Sequence, residues 1–320
     1  MFERTVFVAG ALMLAALPTA SAQVAIDDNH PNIIVIVADD LGYGDLGVHG
    51  NAQVSTPRID QLAAQGARMT DFYAAHSICA PSRAGLMTGR YQQRFGFEWN
   101  PGPRQEADPA FGLPATERTI AERLREIGYA TGAVGKWHLG YAADRVPTAR
   151  GFDAFYGFLG EAMAYTREGR GPQHLVRGTD AAPMATHTTE AFADEAVDFI
   201  EANRQGPFFL YVAFNAMHAP LQATDPYLSR FADESDVRRR TYLAMLSAMD
   251  DAVGRIVDAV DHAGVGERTL IVFTSDNAAA YAIARELLVM PITHEIGRAE
   301  RALAERCDIV LIQKVHGPPA

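Results

Sequence analysis

The sequence predicts an α/β protein built on a largely parallel or mixed central sheet with helices on both faces. Three observations carry this prediction. A continuous apolar, β-branched run at 33–38 is typical of a central strand that is buried on both faces. Strand-like and helix-like segments alternate along the chain, which favours parallel strands joined by helices. Four strand-like runs end just where polar residues of metal-binding or catalytic type begin.

The individual elements follow in chain order. Strands are predicted at 33–38, 129–134, 208–214 and 269–274, with a short one in the tail at 309–312. Helices are predicted at 57–65, 117–127, 187–203 and 236–262, and in the tail at 298–306. Thr56 is expected to cap the first helix, which has Pro57 at its first position and Gly66 after its end. Pro81 is expected to open a short helix that Gly89 closes.

The first 22 residues are set apart from the rest. Arg4 precedes an apolar run from Val6 to Leu17, which the small residues Ala20-Ser21-Ala22 follow. A run of about 12 residues falls short of the roughly 20 that span a bilayer. We interpret 1–22 as a signal peptide, which predicts an exported, periplasmic or secreted protein without stable membrane insertion. Glu3 weakens the positive start of this segment and leaves an uncleaved anchor as the alternative.

Charge and residue usage narrow the function classes. The net charge of −11 argues against a general nucleic-acid or anionic-membrane surface, so an anionic substrate would need a local cluster of cations. Almost all of the 28 basic residues are Arg, and Lys occurs only at Lys136 and Lys314, so each Lys deserves a specific explanation. A disulfide between Cys79 and Cys307 is conceivable, but two cysteines make no disulfide framework.

Polar residues follow the four main strands. Asp39-Asp40, Lys136 with His138, His218, and Asp276-Asn277 all come at or after strand ends. Because ligands of such sheets bind outside the carboxyl ends of the strands, we expect these side chains along one edge. Three carboxylates and one amide oxygen are hard ligands that suit calcium or magnesium. The alternative is that the acidic pairs only cap strand ends in loops.

Cys79 would lie just before the N-terminus of the short helix, where backbone N–H groups favour anionic oxygens. A free cysteine is usually a small buried hydrophobe. A thiolate nucleophile beside His76 is the next possibility.

The segment from Cys79 to Arg90 reads Cys-Ala-Pro-Ser-Arg-Ala-Gly-Leu-Met-Thr-Gly-Arg, and it resembles the signature of the sulfatase family. Four further segments are similar to the same family in the same order: 31–45, which ends in Asp-Asp-Leu-Gly-Tyr-Gly-Asp, Gly-Lys-Trp-His-Leu-Gly at 135–140, His-Ala-Pro at 218–220, and Thr-Ser-Asp-Asn at 274–277. The resemblance covers about residues 31–277.

The resemblance implies an alkaline-phosphatase-like sulfatase fold and an arylsulfatase-like enzyme that acts on small-molecule or glycan sulfate esters. It implies that a formylglycine-generating enzyme oxidises Cys79 to formylglycine. It also implies a calcium ion, with magnesium as the weaker candidate, held by an oxygen of the modified Cys79 and by Asp39, Asp40, Asp276 and Asn277. In the family pattern Arg83 steadies the formylglycine, Lys136 and His138 hold the sulfate and the geminal diol, and His218 protonates the leaving oxygen.

The chemistry explains why the modification is needed. One hydroxyl of a hydrated aldehyde attacks sulfur, while the metal and the cations gather the charge on the sulfuryl oxygens. The second hydroxyl then loses its proton and expels sulfate, which regenerates the aldehyde. A thiol or a serine lacks this second hydroxyl, so its covalent sulfate would have no such escape.

The resemblance stops after Asn277, where the family pattern of glycines, a further Lys and a C-terminal subdomain is not recognisable. We therefore expect a signal peptide at 1–22, the N-terminal part of a sulfatase catalytic domain at 23–277, and an unassigned tail at 278–320, with the C-terminal subdomain missing or replaced. Low activity or stability is expected from this loss. The alternatives are a phosphate or phosphonate ester hydrolase of the same superfamily and an inactive, truncated sulfatase remnant.

Overall fold

The computed structural model describes residues 30–102, 108, 110–167 and 174–277, and the backbone of 310–313. The predicted signal peptide, the predicted tail helix at 298–306, Cys307 and Lys314 lie outside the described residues. None of the described helices combines the length and the apolar composition that a membrane span requires.

The described strands form one mixed sheet of eight strands in the order β5-β4-β3-β2-β6-β1-β7-β8. Its central strands β3, β2, β6, β1 and β7 are parallel. Antiparallel strands flank them on both sides: β4 pairs with β3, β5 with β4, and β8 with β7. This confirms the predicted sheet. The strands are β1 (Asn32–Ala38), β2 (Ala130–Lys136), β3 (Ala154–Phe158), β4 (Val176–Arg177), β5 (Asp180–Ala181), β6 (Phe208–Ala213), β7 (Thr269–Ser275) and β8 (Val310–Gln313).

The described helices cover both faces of the sheet. They are α1 (Pro57–Gln65), α2 (Cys79–Thr88), α3 (Ile120–Glu126), α4 (Thr188–Asn203), α5 (Asp225–Leu228) and α6 (Val237–His262). Alternate side chains of β1 enter two separate cores, as expected for a strand whose side chains point to opposite faces. Ile34 and Ile36 pack in the core that includes α1, α4 and α6, and Val35 and Val37 pack in the core that includes α2 and α3.

Two predicted helix starts are wrong by two or three residues. Helix α2 begins at Cys79 rather than at Pro81, so Cys79 lies in the first turn and not before it. Helix α3 begins at Ile120 rather than at 117, because Thr119 forms a capping box. Its hydroxyl accepts a hydrogen bond from the Glu122 N–H at 3.0 Å, and the Glu122 carboxylate accepts one from the Thr119 N–H at 2.9 Å.

The predicted capping of α1 is also wrong in its chemistry. Thr56 occupies the N-cap position, but its side chain caps no N–H of α1; its oxygen accepts the Gly47 N–H at 2.9 Å. The first turn of α1 is capped from another helix. The Asp250 carboxylate on α6 accepts the N–H groups of Arg58 at 3.1 Å and Ile59 at 2.8 Å.

Gly135 lets the central strands approach closely at the end of β2. Its φ is +98°, a conformation that L side chains rarely adopt. A Cβ there would lie 1.9 Å from the carbonyl oxygen of Ala213 on β6. The glycine therefore permits the close approach of β2 and β6 just before Lys136, the last residue of β2.

Candidate active site

The strand ends bring the predicted polar residues together. Lys136 is the last residue of β2, and Asp39-Asp40 and Asp276-Asn277 directly follow β1 and β7. His218 comes five residues after the end of β6. Because β2, β6, β1 and β7 are neighbouring parallel strands, all of these residues lie at one edge of the sheet, which confirms the placement that the sequence predicts.

A fully buried ion-pair network lies at the centre of this edge. The Lys136 Nζ donates to both carboxylate oxygens of Asp39, at 2.9 and 2.7 Å. Arg83 bridges two strands, because its Nη2 lies 3.2 Å from Asp39 Oδ1 and its Nε donates to Asp276 Oδ2 at 2.8 Å. All four side chains have no exposed area. Such a network fixes the relative positions of the strands that carry it.

Arg83 is held by further contacts. Its Nη1 donates to the Lys136 carbonyl at 3.2 Å and to the Tyr211 hydroxyl at 3.4 Å. Burial disfavours its charge, but the carboxylates of Asp276 and Asp39 outweigh burial and raise the pKa of the guanidinium well above its ordinary value. Burial likewise opposes the charge of Lys136, and Asp39 more than compensates, so the pKa of Lys136 is raised. Both groups are therefore permanent cations.

Asp40 lies between Asn277, another candidate metal ligand, and His218. The Asn277 Nδ2 donates to Asp40 Oδ1 at 2.5 Å, and His218 Nε2 lies 3.8 Å from Asp40 Oδ2. The His218 Nδ1 lies 2.6 Å from the carbonyl oxygen of Ala219, which can only accept, so Nδ1 carries a proton. A second proton on Nε2 would consequently face Asp40. The arrangement fixes the orientation of the ring, with Nε2 on the side of Asp40.

His138 is buried in the same region without a hydrogen-bond partner. Neither ring nitrogen forms a hydrogen bond with the described residues, and the ring is fully buried. Burial, followed by the charges of Lys136 and Arg83, lowers the pKa of His138 well below its ordinary value. Its φ of +58°, like that of Asp40, is uncommon for a residue with a side chain. An unpartnered polar ring and two such backbone conformations are typical of functional sites.

Cys79 is a buried free thiol beside the network. Its sulfur and oxygens of Asp39 and Asp276 lie within 4.8 Å of one another. Burial raises the pKa of the Cys79 thiol, and the three carboxylates Asp39, Asp276 and Asp40 raise it further against the opposing charge of Lys136. The Nδ1 of His76 accepts the N–H of Ile78 at 3.1 Å and so holds the backbone before the helix. These features disfavour a thiolate–His pair and leave an unmodified Cys79 as an inert thiol.

The donor set fits a hard divalent cation. Asp39, Cys79 and Asp276 could hold a metal ion, and Asp40 lies beside them. Burial raises the pKa of Asp276 to about 6, and burial followed by repulsion from Asp276 raises the pKa of Asp40. A divalent cation would relieve this repulsion. The carboxylate oxygens suit calcium or magnesium, and an oxygen at position 79 would suit them better than the sulfur does.

Three residues of the site were not predicted from the sequence. Tyr211 contacts Arg83 from β6. Asn100 accepts the Ala80 N–H at 3.0 Å and thereby caps the helix that carries Cys79. Tyr165 donates to the carbonyls of Asn215 and His218, the latter at 2.8 Å, and so fixes the turn before His218. Tyr211 could have been predicted, because side chains alternate between the two faces of a strand and this strand ends at the site. The loop residues Asn100 and Tyr165 belong to no such pattern.

The fold and the strand-end site define a protein of the alkaline-phosphatase-like class. A crystal structure of Ps i-CgsB in complex with k-i-k-neocarrahexaose matches with a TM-score of 0.78 at 35% identity, covering 88% of this chain and 65% of that one. A crystal structure of the putative sulfatase yidJ from Bacteroides fragilis shares the fold at 23% identity, with a TM-score of 0.70, covering 93% of this chain and 71% of that one.

A family model described as Sulfatase matches residues 31–285. N-acetylgalactosamine-6-sulfatase of Mus musculus is 36% identical over 269 residues, which are 78% of this chain and 51% of that protein. Arylsulfatase G of Mus musculus is 38% identical over 279 residues, with 77% and 51% covered. The chain belongs to the sulfatase family, as the motif around Cys79 predicts, and it spans about half the length of these curated relatives.

Proposed function

We propose that this chain hydrolyses sulfate esters, with a formylglycine made from Cys79 as the nucleophile and a calcium ion held by Asp39, Asp40, Asp276, Asn277 and residue 79. The observation that carries the proposal is the position of Cys79, in the first turn of α2 against a buried network of two carboxylates and two cations. A hydrated aldehyde at this position would supply one hydroxyl group for attack and a second for release of sulfate. The metal would supply positive charge for the sulfuryl oxygens.

The residues of this chain divide the remaining work. Lys136 and His138 provide the cation and the ring that face the bound sulfate, and both are buried, so their interactions act in a site from which water is excluded. Arg83 keeps Asp39 and Asp276 fixed and lies in the same helix as Cys79. His218, whose side chain is 19% exposed, is accessible enough to give the proton from Nε2 to the leaving oxygen.

The proposed substrates are sulfate esters of sugars. Two observations support this class: a relative at 36% identity is named for N-acetylgalactosamine 6-sulfate hydrolysis, and a related structure contains an oligosaccharide. Export to the periplasm or the medium, and maturation by a formylglycine-generating enzyme, belong to the same proposal. The boundaries at residues 22 and 277 also remain predictions.

Turnover measurements with matched esters test the proposal. The chain, produced together with a formylglycine-generating enzyme, is expected to hydrolyse 4-nitrophenyl sulfate and N-acetylgalactosamine 6-sulfate faster than 4-nitrophenyl phosphate. Cys79→Ala and Lys136→Ala should each lower kcat by at least about 100-fold, whereas Tyr91→Ala, beyond the far end of α2, should not. Faster turnover of the phosphate ester would favour the alternative phosphohydrolase. A folded chain with formylglycine that hydrolyses neither ester would favour the inactive remnant.

A further inference from the structure

The segment 99–102, here called the rim segment, is held by two hydrogen bonds, one to the helix that carries Cys79 and one to Tyr141, three residues after His138. The Asn100 Oδ1 accepts the N–H of Ala80, the residue after Cys79, at 3.0 Å. The Gly102 carbonyl accepts the Tyr141 hydroxyl at 3.1 Å. Between them, Pro101 is buried. The rim segment therefore lies between the N-terminus of α2 and the segment that follows His138.

Trp99 is the exposed member of this segment. Its exposed fraction is 70%, whereas the only other tryptophan of the sequence, Trp137, is 1% exposed. Asn100 and Ala80 are joined by a 3.0 Å hydrogen bond. Trp99 directly precedes Asn100, and Cys79 directly precedes Ala80. This bond keeps the backbone at Trp99 close to position 79, while most of the indole surface is exposed. A single exposed apolar residue needs no explanation by itself, but here its neighbours are pinned to the site.

We propose that Trp99 is a specificity-determining residue that stacks on the sugar ring of a sulfated saccharide whose ester group is bound at position 79. The inference rests on the proposed function and names the recognition of the organic part of its substrate. A pyranose ring has an apolar face of C–H groups and a polar edge, and a flat, solvent-exposed indole matches the apolar face. Indole also contributes a large contact area at a small loss of rotamer freedom.

Tyr91 provides a matched control. It is 67% exposed, so it is as accessible as Trp99, but it lies three residues after the C-terminal end of α2. Because α2 has ten residues, its two ends are about 15 Å apart. Tyr91 therefore tests whether the loss of any exposed aromatic side chain near α2 has the same effect as the loss of Trp99.

Kinetics on N-acetylgalactosamine 6-sulfate and k-i-k-neocarrahexaose provide the first test. For whichever of the two saccharides the chain hydrolyses, Trp99→Ala should raise KM about 3- to 10-fold with little change in kcat. This is the range expected for the loss of one aromatic stacking contact. Trp99→Phe should recover part of this loss, and Tyr91→Ala should leave KM unchanged. An unchanged KM in Trp99→Ala, or an increase confined to 4-nitrophenyl sulfate, would overturn the inference.

Fluorescence provides a second test that does not depend on turnover. In a Cys79→Ala background, titration with either saccharide should change the emission of the exposed Trp99, and Trp99→Phe in this background should abolish the change. Isothermal titration calorimetry of both proteins should show a raised Kd in the Trp99→Phe variant. Equal Kd values in both proteins, or no binding of either saccharide, would overturn the inference. Binding through Trp99 by a chain that hydrolyses no sulfate ester would support the saccharide site and contradict the proposed function, so the two failures are distinguishable.

Discussion

Arg83 is the residue on which the geometry of the candidate site depends most. It is completely buried, and it forms ion pairs with Asp39 after β1 and Asp276 after β7 while it belongs to the same helix as Cys79. A guanidinium suits this position because its planar fork can serve two carboxylates and two neutral acceptors at the same time. Arg83 therefore fixes the nucleophile helix relative to two strand ends.

Replacing Arg83 by Ala should leave two buried carboxylates short of a cation. We expect Arg83→Ala to lower the free energy of unfolding by about 3–5 kcal/mol. Arg255→Ala is the matched control, since its ion pair with Asp194 is exposed and its loss should cost less than about 1 kcal/mol. Urea denaturation of the three proteins measures both values. Equal losses in the two variants would contradict the account of the network.

Tyr165 is expected to act on catalysis through the turn before His218. Tyr165→Phe removes the hydroxyl that donates to the carbonyls of Asn215 and His218, so it should lower stability by about 1–2 kcal/mol and also reduce kcat. Tyr129→Phe is the control, because it removes one hydrogen bond to the Pro31 carbonyl at the opposite end of β1. This control should lower stability alone. A kcat that falls equally in both variants would show that Tyr165 has no specific role.

At the scale of elements, α1 and α6 are coupled by one carboxylate. Asp250 is buried and accepts two N–H groups of the first turn of α1, yet burial outweighs these hydrogen bonds and raises its pKa from 3.8 to about 6. The folded state therefore favours the protonated acid. The contribution of this group to stability is fully present below pH 3.8 and is lost as the pH rises through about 6.

Asp250→Asn should remove this pH dependence. The free energy of unfolding of the wild type minus that of Asp250→Asn is expected to fall by up to about 3 kcal/mol between pH 4 and pH 7. Denaturation of both proteins at several pH values gives this difference directly. A difference that rises with pH would show that Asp250 is ionised in the folded state and that its two backbone hydrogen bonds outweigh burial.

The elements also show how far sequence reasoning reaches. The strands β1, β2, β6 and β7 were predicted because apolar, β-branched runs in a central sheet leave a clear pattern, and the tail strand at 309–312 lies within one residue of β8. The strand β3 was not predicted because its five residues contain a glycine and three aromatic residues without clear periodicity. The strands β4 and β5 have two residues each and leave no periodic signal.

The placement of the candidate site residues at the strand ends was predicted more accurately than the helix boundaries. The predicted residues lie together because polar side chains at the ends of parallel strands meet at one edge of the sheet, and the motif around Cys79 identifies the family. The capping of α1 by Asp250 could not be found, since it joins residues far apart in the chain through tertiary packing. Thr56, the expected cap, instead accepts the N–H of Gly47, nine residues earlier in the chain.

On the scale of the whole molecule, the sheet brings together charged side chains from several strands and from α2. Three carboxylates and two permanent cations meet at one edge. Burial raises the pKa values of Asp40 and Asp276, with further repulsion from Asp276 on Asp40 and from Asp39 on Asp276. A bound divalent cation should therefore stabilise the entire domain, because it binds the folded state alone.

Calcium is expected to raise Tm, and chelation is expected to reverse the rise. At 100 times Kd the gain in stability should be about 2.7 kcal/mol. Asp40→Asn should abolish the response, whereas Asp251→Asn, a carboxylate paired with Arg230 on the surface of α6, should retain it. Differential scanning fluorimetry with calcium, magnesium and a chelator measures these shifts. An identical calcium response in Asp40→Asn would contradict the proposed ligand set.

The central claim is that Cys79 is the precursor of the nucleophile, and the mass of the peptide that contains it tests this claim most directly. After production with a formylglycine-generating enzyme, the tryptic peptide 69–83 should have the mass expected for formylglycine at position 79, and it should react with an aldehyde-specific hydrazide. Peptide from protein made without that enzyme should carry an unmodified thiol. A peptide that keeps the cysteine mass under both conditions would contradict the account.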